Sequence, residues 1–201
     1  RKDIMRALGA ELILTDADKG GDFALKVTRE LAESQPDKYF YANQYDNENN
    51  WKAHYYSTGP EIYEQTAGCI THFVAGMGTS GTFRGTVTFL KGNKPEVTVV
   101  GIQPPGPKHG LEGLKHMGSS EVPGIYRDDL PDEIEVVAKE ESIEMVRRLA
   151  REEGLFVGLS SGTAALGALR VAERLDEGVV VTVFPDAGYK YLSDELWSEN
   201  E

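Results

Sequence analysis

Cysteine is all but missing from this chain: Cys69 is the only one in 201 residues. A single thiol excludes an internal disulfide framework and a cysteine-based metal site, and Cys69 reads most simply as a small buried apolar residue. Long hydrophobic runs are missing too, since no apolar stretch approaches the roughly 20 residues that cross a bilayer. Positive charge is in deficit, with 21 Lys and Arg against 33 Asp and Glu and a net charge of -12. Such a surface repels phosphate backbones, so nucleic-acid binding is not expected. No signal-peptide pattern opens the chain, because residues 1–10 read as a charged amphipathic helix. These features point to a cytoplasmic protein with no membrane partner. The first residue is not Met, and residues 1–9 read as the latter half of a helix closed by a C-cap glycine. The chain is therefore expected to be the C-terminal portion of something longer.

What is present is an ordinary globular composition, 40% hydrophobic and 27% charged, which supports a real core. Strand-like apolar runs alternate with amphipathic helical ones. Short strands are expected at 10–15, 39–42, 72–75, 98–103 and 134–138, and over the continuously apolar 179–184. Helices are expected at 22–34, 51–56, 60–66, 81–91, 140–153 and 161–175, with Pro60 suited to a first helical turn. This alternation predicts an α/β fold with a parallel sheet. No repeat or clean linker interrupts it. Residues 104–131 form an irregular stretch longer than a compact domain usually keeps without a use.

The most specific segment is residues 72–91, HFVAGMGTSGTFRGTVTFLK. A strand feeds straight into the turn Gly76-Met77-Gly78-Thr79-Ser80-Gly81-Thr82, and the turn into a helix. Backbone N–H groups at a helix N-terminus lack intrahelical partners and carry partial positive charge, so they favour an anion. Thr79, Ser80 and Thr82 add hydroxyl donors, and the glycines let main chain approach the anion closely. A phosphate is the natural ligand; a tight turn without any ligand is the plainer alternative. Gly76, Gly78 and Gly81 also spell G-x-G-x-x-G, so a dinucleotide must be weighed. That site needs an acidic residue at the end of the next strand, about 20 residues on. Here the strand ends in Gln103-Pro104-Pro105, and Glu96 precedes it.

Two further segments suit a ligand pocket. Gly158-Leu159-Ser160-Ser161-Gly162 leads into the helix at 161–175, with one serine as its N-cap. Asn43-Gln44-Tyr45-Asp46-Asn47 is a polar loop directly after a strand, where open α/β sheets bind ligands. Taken singly, the first reads equally as a cap and the second as a solvated loop.

Six segments in order are GAELILT (9–15), NQYDNENN (43–50), HYYSTGPEIYEQT (54–66), VAGMGTSGT (74–82), GLSSGTA (158–164) and PDAGYKYLS (185–193). Together they resemble the fold-type II pyridoxal-phosphate enzymes, specifically the cysteine synthases, over nearly the whole chain. The TSGT form of the turn and the NQY segment are closer to the cysteine synthase B branch, some members of which take O-phosphoserine. The resemblance implies an open, twisted, mostly parallel sheet of the tryptophan synthase β type with helices on both faces. It implies that residues 1–45 complete a smaller N-terminal domain and that 46–201 form the larger cofactor-binding domain. The implied cofactor is pyridoxal 5'-phosphate, with Gly78, Thr79, Ser80, Gly81 and Thr82 around its phosphate and Ser160 on its pyridine nitrogen. A neutral hydroxyl there leaves the ring a moderate electron sink, suited to β-elimination. Gln44 matches a glutamine near the substrate carboxylate. Lys115, in GLEGLKHM, stands where phosphoserine-using relatives carry an arginine, and it also reads as a solvated lysine.

The reaction the resemblance implies is β-replacement: acetate or phosphate leaves the amino-acid substrate, and sulfide or another sulfur donor adds to give L-cysteine. The implied assembly is a homodimer. The motif that carries the family's Schiff-base lysine does not occur here. No catalytic lysine is therefore assigned, no metal is expected, and the 201 residues by themselves are expected to be inactive. Cystathionine β-synthase and serine or threonine dehydratase are alternatives within the fold type. A non-catalytic nucleotide-binding Rossmann module, or a pseudoenzyme without the lysine, is the alternative of another class.

Overall fold

The computed structural model describes residues 1–197 and divides into two units, Arg1–Asn43 and the chain from Gln44 onward. In the first unit, α1 (Lys2–Ala7) is followed by an extended stretch, a 3-10 turn at Ala17–Lys19 and α2 (Gly20–Ser34). Asp16 caps the 3-10 turn by accepting the Asp18 N–H at 3.1 Å. The strands expected at 10–15 and 39–42 do not form. A strand persists only within a ladder, and among the described residues nothing pairs with either segment. Their apolar side chains Ile13, Leu14 and Phe40 are exposed.

The second unit is built on a four-stranded, all-parallel sheet. Its strands are β1 (His72–Gly76), β2 (Thr98–Gln103), β3 (Glu133–Val136) and β4 (Val180–Thr182), in the spatial order β3-β2-β1-β4. Five helices accompany them: α3 (Asn49–Tyr56), α4 (Thr58–Gln65), α5 (Gly81–Asn93), α6 (Lys139–Glu152) and α7 (Leu159–Ala172). The two-residue period of β1 divides the core between the faces. Phe73 and Ala75 pack with Phe83, Val87 and Leu90 of α5. Val74, with Val100 and Ile102 of β2, packs against Ala164 and Val171 of α7. Covered on both sides, the two central strands read as unbroken apolar runs. The expected sheet with helices on both faces is thus observed. The edge strands β3 and β4 are shorter than their apolar runs suggested, having a ladder partner on one side only.

Cys69 is exposed, contrary to the reading as a buried residue. Cys69 closes the turn after α4, its N–H donating to the Thr66 carbonyl at 2.8 Å, and the next residue, Ile70, takes the core position.

Gly85 governs how α3 and α5 meet. A Cβ at this position would collide with the Trp51 carbonyl oxygen and come within 2.7 Å of His54 Cβ and 2.8 Å of the Tyr55 nitrogen. Without a side chain the two backbones cross in direct contact. Among the described residues no helix is long and apolar enough to cross a membrane.

Substituting Gly85→Val is expected to lower stability by about 3 kcal/mol, because the added atoms meet main chain that cannot yield. Gly92→Ala on the same helix has open space at the Cβ position and is expected to raise stability by about 0.5 kcal/mol. Urea unfolding midpoints of the two variants check both signs.

Candidate functional site

From β1 the chain turns into α5 through Ser80, the helix N-cap, at φ 72 and ψ 3. A left-handed backbone costs a non-glycine residue about 1–2 kcal/mol. Ser80 is 4% exposed, and its buried Oγ has no hydrogen-bond partner among the described residues. An unsatisfied buried hydroxyl costs roughly 1–3 kcal/mol more. Both penalties fall on one residue at a helix N-terminus, where unpaired N–H groups already favour an anion. An anion in this turn would satisfy the hydroxyl and the main chain together.

The neighbouring hydroxyls are held by α3. Thr79 Oγ1 accepts the Gly81 N–H at 3.3 Å and an Asn50 Nδ2 hydrogen at 3.2 Å. With both lone pairs engaged, the Thr79 O–H is left to donate away from the protein. The same Asn50 amide donates to the Gln44 carbonyl at 2.6 Å. A Cβ on Gly81 would collide with Asn50 Oδ1, so glycine is required where the amide lies against the start of α5. Thr82 Oγ1 pairs with His54 Nε2 at 3.1 Å, and His54 Nδ1 with Thr58 Oγ1 at 2.9 Å. Burial lowers the His54 pKa below the ordinary histidine value, which keeps the ring neutral at pH 7.

The irregular stretch 104–131 closes the other side. A Cβ on Gly78 would collide with the Gly113 carbonyl oxygen, Leu114 packs over Gly76, and the Lys115 N–H donates to the Met77 carbonyl at 2.9 Å. Gly113 is itself left-handed, at φ +86, and on its far side Ser160 Oγ lies 3.9 Å from where its Cβ would sit. Ser160 belongs to the first turn of α7, so Gly113 has the glycine turn at its carbonyl and the start of α7 near its Cα. The N-cap of α7 is Gly158, not a serine. A larger cap has no room there, because a Cβ on Gly158 would collide with Asp186 Oδ1. Ser161 Oγ instead donates to the Asp186 carbonyl at 3.4 Å.

Of the residues singled out in the sequence, Gly78 to Thr82 form one turn, the Gln44 carbonyl is tied to it through Asn50, and Ser160 lies beside Gly113, whose carbonyl abuts Gly78. The Gln44 side chain is exposed. Lys115 is not a freely solvated lysine: its Nζ donates to the Glu121 carbonyl at 3.3 Å and lies 4.9 Å from the Tyr45 ring centroid. The Gln44 loop is clamped further by the Ile125 N–H on the Tyr45 carbonyl at 3.1 Å and the Gly124 N–H on Asp46 Oδ1 at 3.2 Å. Asn50 and Gly113 were not identified from the sequence as parts of the site. An amide beside a polar loop is a weak signal, and only packing shows which hydroxyl it meets. At the end of β2, Gln103 Oε1 accepts the Met117 N–H at 3.4 Å and offers no carboxylate for a ribose. Among the described residues no cluster of three or more His, Cys, Asp or Glu could hold a metal ion.

A family model described as "Pyridoxal-phosphate dependent enzyme" matches residues 1–186. The chain is 48% identical over 205 residues to a cysteine synthase of Aquifex aeolicus (strain VF5), covering all of this chain and 63% of that protein. It is similar in structure to O-acetyl serine sulfhydrylase isoform 3 from Entamoeba histolytica, at 36% identity and a TM-score of 0.87 over 100% of this chain and 62% of that one. It is also similar to the O-acetylserine dependent cystathionine beta-synthase from Helicobacter pylori, at 39% identity and a TM-score of 0.89 over 98% of this chain and 66% of that one. The chain thus spans less than two thirds of the length of the curated Aquifex relative.

Two outcomes are expected of the site's own residues. Ser80→Gly, which relieves the left-handed backbone and removes the orphaned hydroxyl, should raise stability without ligand by about 1 kcal/mol and weaken binding of inorganic phosphate; calorimetry reads both. For His54 the folded pKa lies below the unfolded value of about 6.5, so protons favour the unfolded chain. Its contribution is complete above that value and is lost as the pH falls from there through the lower folded value. In a pH series of urea midpoints, His54→Gln should flatten this slope, leaving the share of His109, which burial also lowers.

Proposed function

The chain belongs to the pyridoxal-phosphate dependent enzymes, and from that premise we propose that it is the cofactor-holding portion of a cysteine synthase. The reaction proposed for the whole enzyme replaces the acetate of O-acetylserine, or the phosphate of O-phosphoserine, by sulfide or another sulfur donor to make L-cysteine.

The observation that carries this reading is the buried, unpartnered Ser80 hydroxyl in a strained turn at the N-terminus of α5. A single phosphate fits that turn: Ser80 gains an acceptor, the outward Thr79 O–H gains another, and the first-turn N–H groups of α5 beyond Gly81 gain a third. Gly78 and Gly81 hold the turn against Gly113 and Asn50, which keeps these donors in place before the ligand arrives. Ser160 offers the pyridine nitrogen a neutral hydroxyl from the start of α7. When bound, pyridoxal phosphate supplies an electron sink for negative charge at the substrate α-carbon, and a neutral partner keeps that sink moderate. Gln44 offers its amide to the substrate carboxylate from a loop clamped at Tyr45, Asp46 and Asn50. Lys115, beside Tyr45, offers positive charge to an anionic leaving group and makes O-phosphoserine a substrate to test. Residues 1–43 we assign to the smaller domain of the enzyme, and the setting we propose is a cytoplasmic homodimer.

Similarity to the Helicobacter pylori cystathionine beta-synthase favours a second reading, in which a thiol-bearing amino acid replaces sulfide. The two readings share every residue role above and differ in the nucleophile.

The full-length protein saturated with pyridoxal phosphate is expected to absorb in the visible and to form cysteine from O-acetylserine or O-phosphoserine and sulfide. A sample with no visible band would overturn the cofactor reading, and a thioether product formed in preference to cysteine would favour the second. Thr79→Ala is expected to weaken cofactor affinity about tenfold, the value of one hydrogen bond to a charged acceptor.

A further inference from the structure

We infer that Asn50 is a positioning residue that couples the phosphate cradle to the substrate loop, so that filling the first orders the second. The inference rests on the functional reading above. A primary amide has two N–H donors, and both hydrogens of Asn50 Nδ2 are committed. One goes to the Gln44 carbonyl at 2.6 Å and the other to Thr79 Oγ1 at 3.2 Å. The opposite side of the amide lies against Gly81, where any side chain would collide with Oδ1. The group is thus fixed on three sides: by the loop that presents Gln44, by the hydroxyl that faces the anion, and by the first residue of α5.

Its effect on Thr79 is directional. With the Gly81 N–H and the Asn50 amide on its oxygen, Thr79 has only its proton to offer outward. Remove the amide and that oxygen regains a free lone pair, so its proton is no longer committed to the anion. The Gln44 carbonyl loses its donor in the same change. Asn50 is delivered to this point by the close crossing of α3 on α5 at Gly85, so the amide does not have to search for its partners. Coupling of this kind is reciprocal: whatever the bound phosphate gains from an ordered Gln44 loop, the substrate gains from a filled cradle.

The test uses the full-length protein. Asn50→Ala is expected to weaken pyridoxal phosphate binding about tenfold by direct titration. With cofactor saturating, it should raise the KM for the amino-acid substrate about tenfold and leave kcat within about twofold. Asn50→Asp keeps the shape, loses both donors and sets a negative charge beside the cradle. It should bind the cofactor more weakly than Asn50→Ala, and it serves if the alanine variant does not fold. Gln44→Ala leaves the backbone carbonyl in place, so it separates positioning from bulk stability. In a Gln44→Ala background the Asn50 substitution should add no further rise in KM, because the side chain being positioned is gone. Wild-type cofactor affinity in both Asn50 variants, or additive KM effects in the double variant, would overturn the inference alone. Failure of the wild-type protein to bind pyridoxal phosphate would overturn the functional reading, and the inference with it.

Discussion

The contact on which the site depends is the crossing of α3 over α5 at Gly85. Direct main-chain contact between the helices, with no room for a Cβ, sets their separation. One turn earlier on α5, Gly81 repeats the same concession to Asn50. The spacing of four places both glycines on one face of the helix. Everything polar that α3 brings to the turn follows from this approach: Asn50 meets Thr79, and His54 meets Thr82. A side chain at Gly85 would move those groups outward together, because they share one rigid helix. A substitution remote from the turn would thereby act on Thr79 and Thr82 together.

The penalties in this region are concentrated where they can be relieved. Ser80 combines a left-handed backbone with an orphaned buried hydroxyl, while the strands beside it are covered on both faces. Strain of this kind persists only when surrounding packing over-determines it. The packing here comes from three directions, with Asn50 on Gly81, Gly113 on Gly78 and Leu114 on Gly76. The turn is therefore organised before any ligand is present, and binding does not have to supply the ordering free energy.

Much of the fold was legible because it follows from periodicity. The apolar runs at 72–75 and 98–103 could only be buried strands, and the helices at 81–91 and 140–153 carried the right spacing. The failures have a common cause. Residues 10–15 and 39–42 have strand composition but no ladder partner among the described residues, and composition cannot show a partner. Cys69 went wrong because it ends a turn, and its neighbour Ile70 took the buried place. In the candidate site, the glycine turn was legible as an anion-favouring junction, because hydroxyls and glycines stand where a strand meets a helix; the cofactor roles of the turn and of Ser160 are those proposed above. Asn50 and Gly113 were not legible, since each acts through a neighbour remote in sequence. Gly113 stands 35 residues from Gly78 and 47 from Ser160 and is near both in space.

In the proposed reading a chain with a net charge of -12 holds an anionic phosphate, and the turn is where a local field would prevail over the global one. At physiological ionic strength, exposed charges are screened beyond about 8 Å. Distant carboxylates therefore contribute little at the turn, whatever their sum. From Gly76 to Thr82 no residue carries a charge. The attraction on an anion there would come from fixed dipoles: the N–H groups opening α5, the Thr79 proton left free by the Asn50 contact, and the Ser80 hydroxyl, in a volume where burial lowers the effective dielectric. Neutral donors also hold their direction across the pH range, which a lysine or histidine cradle would not. His54 sits one step back, kept neutral by burial, and its titration would reach a phosphate in the turn through Thr82. Affinity for an anion in the turn would thereby be set by geometry, and geometry is what Gly81 and Gly85 protect.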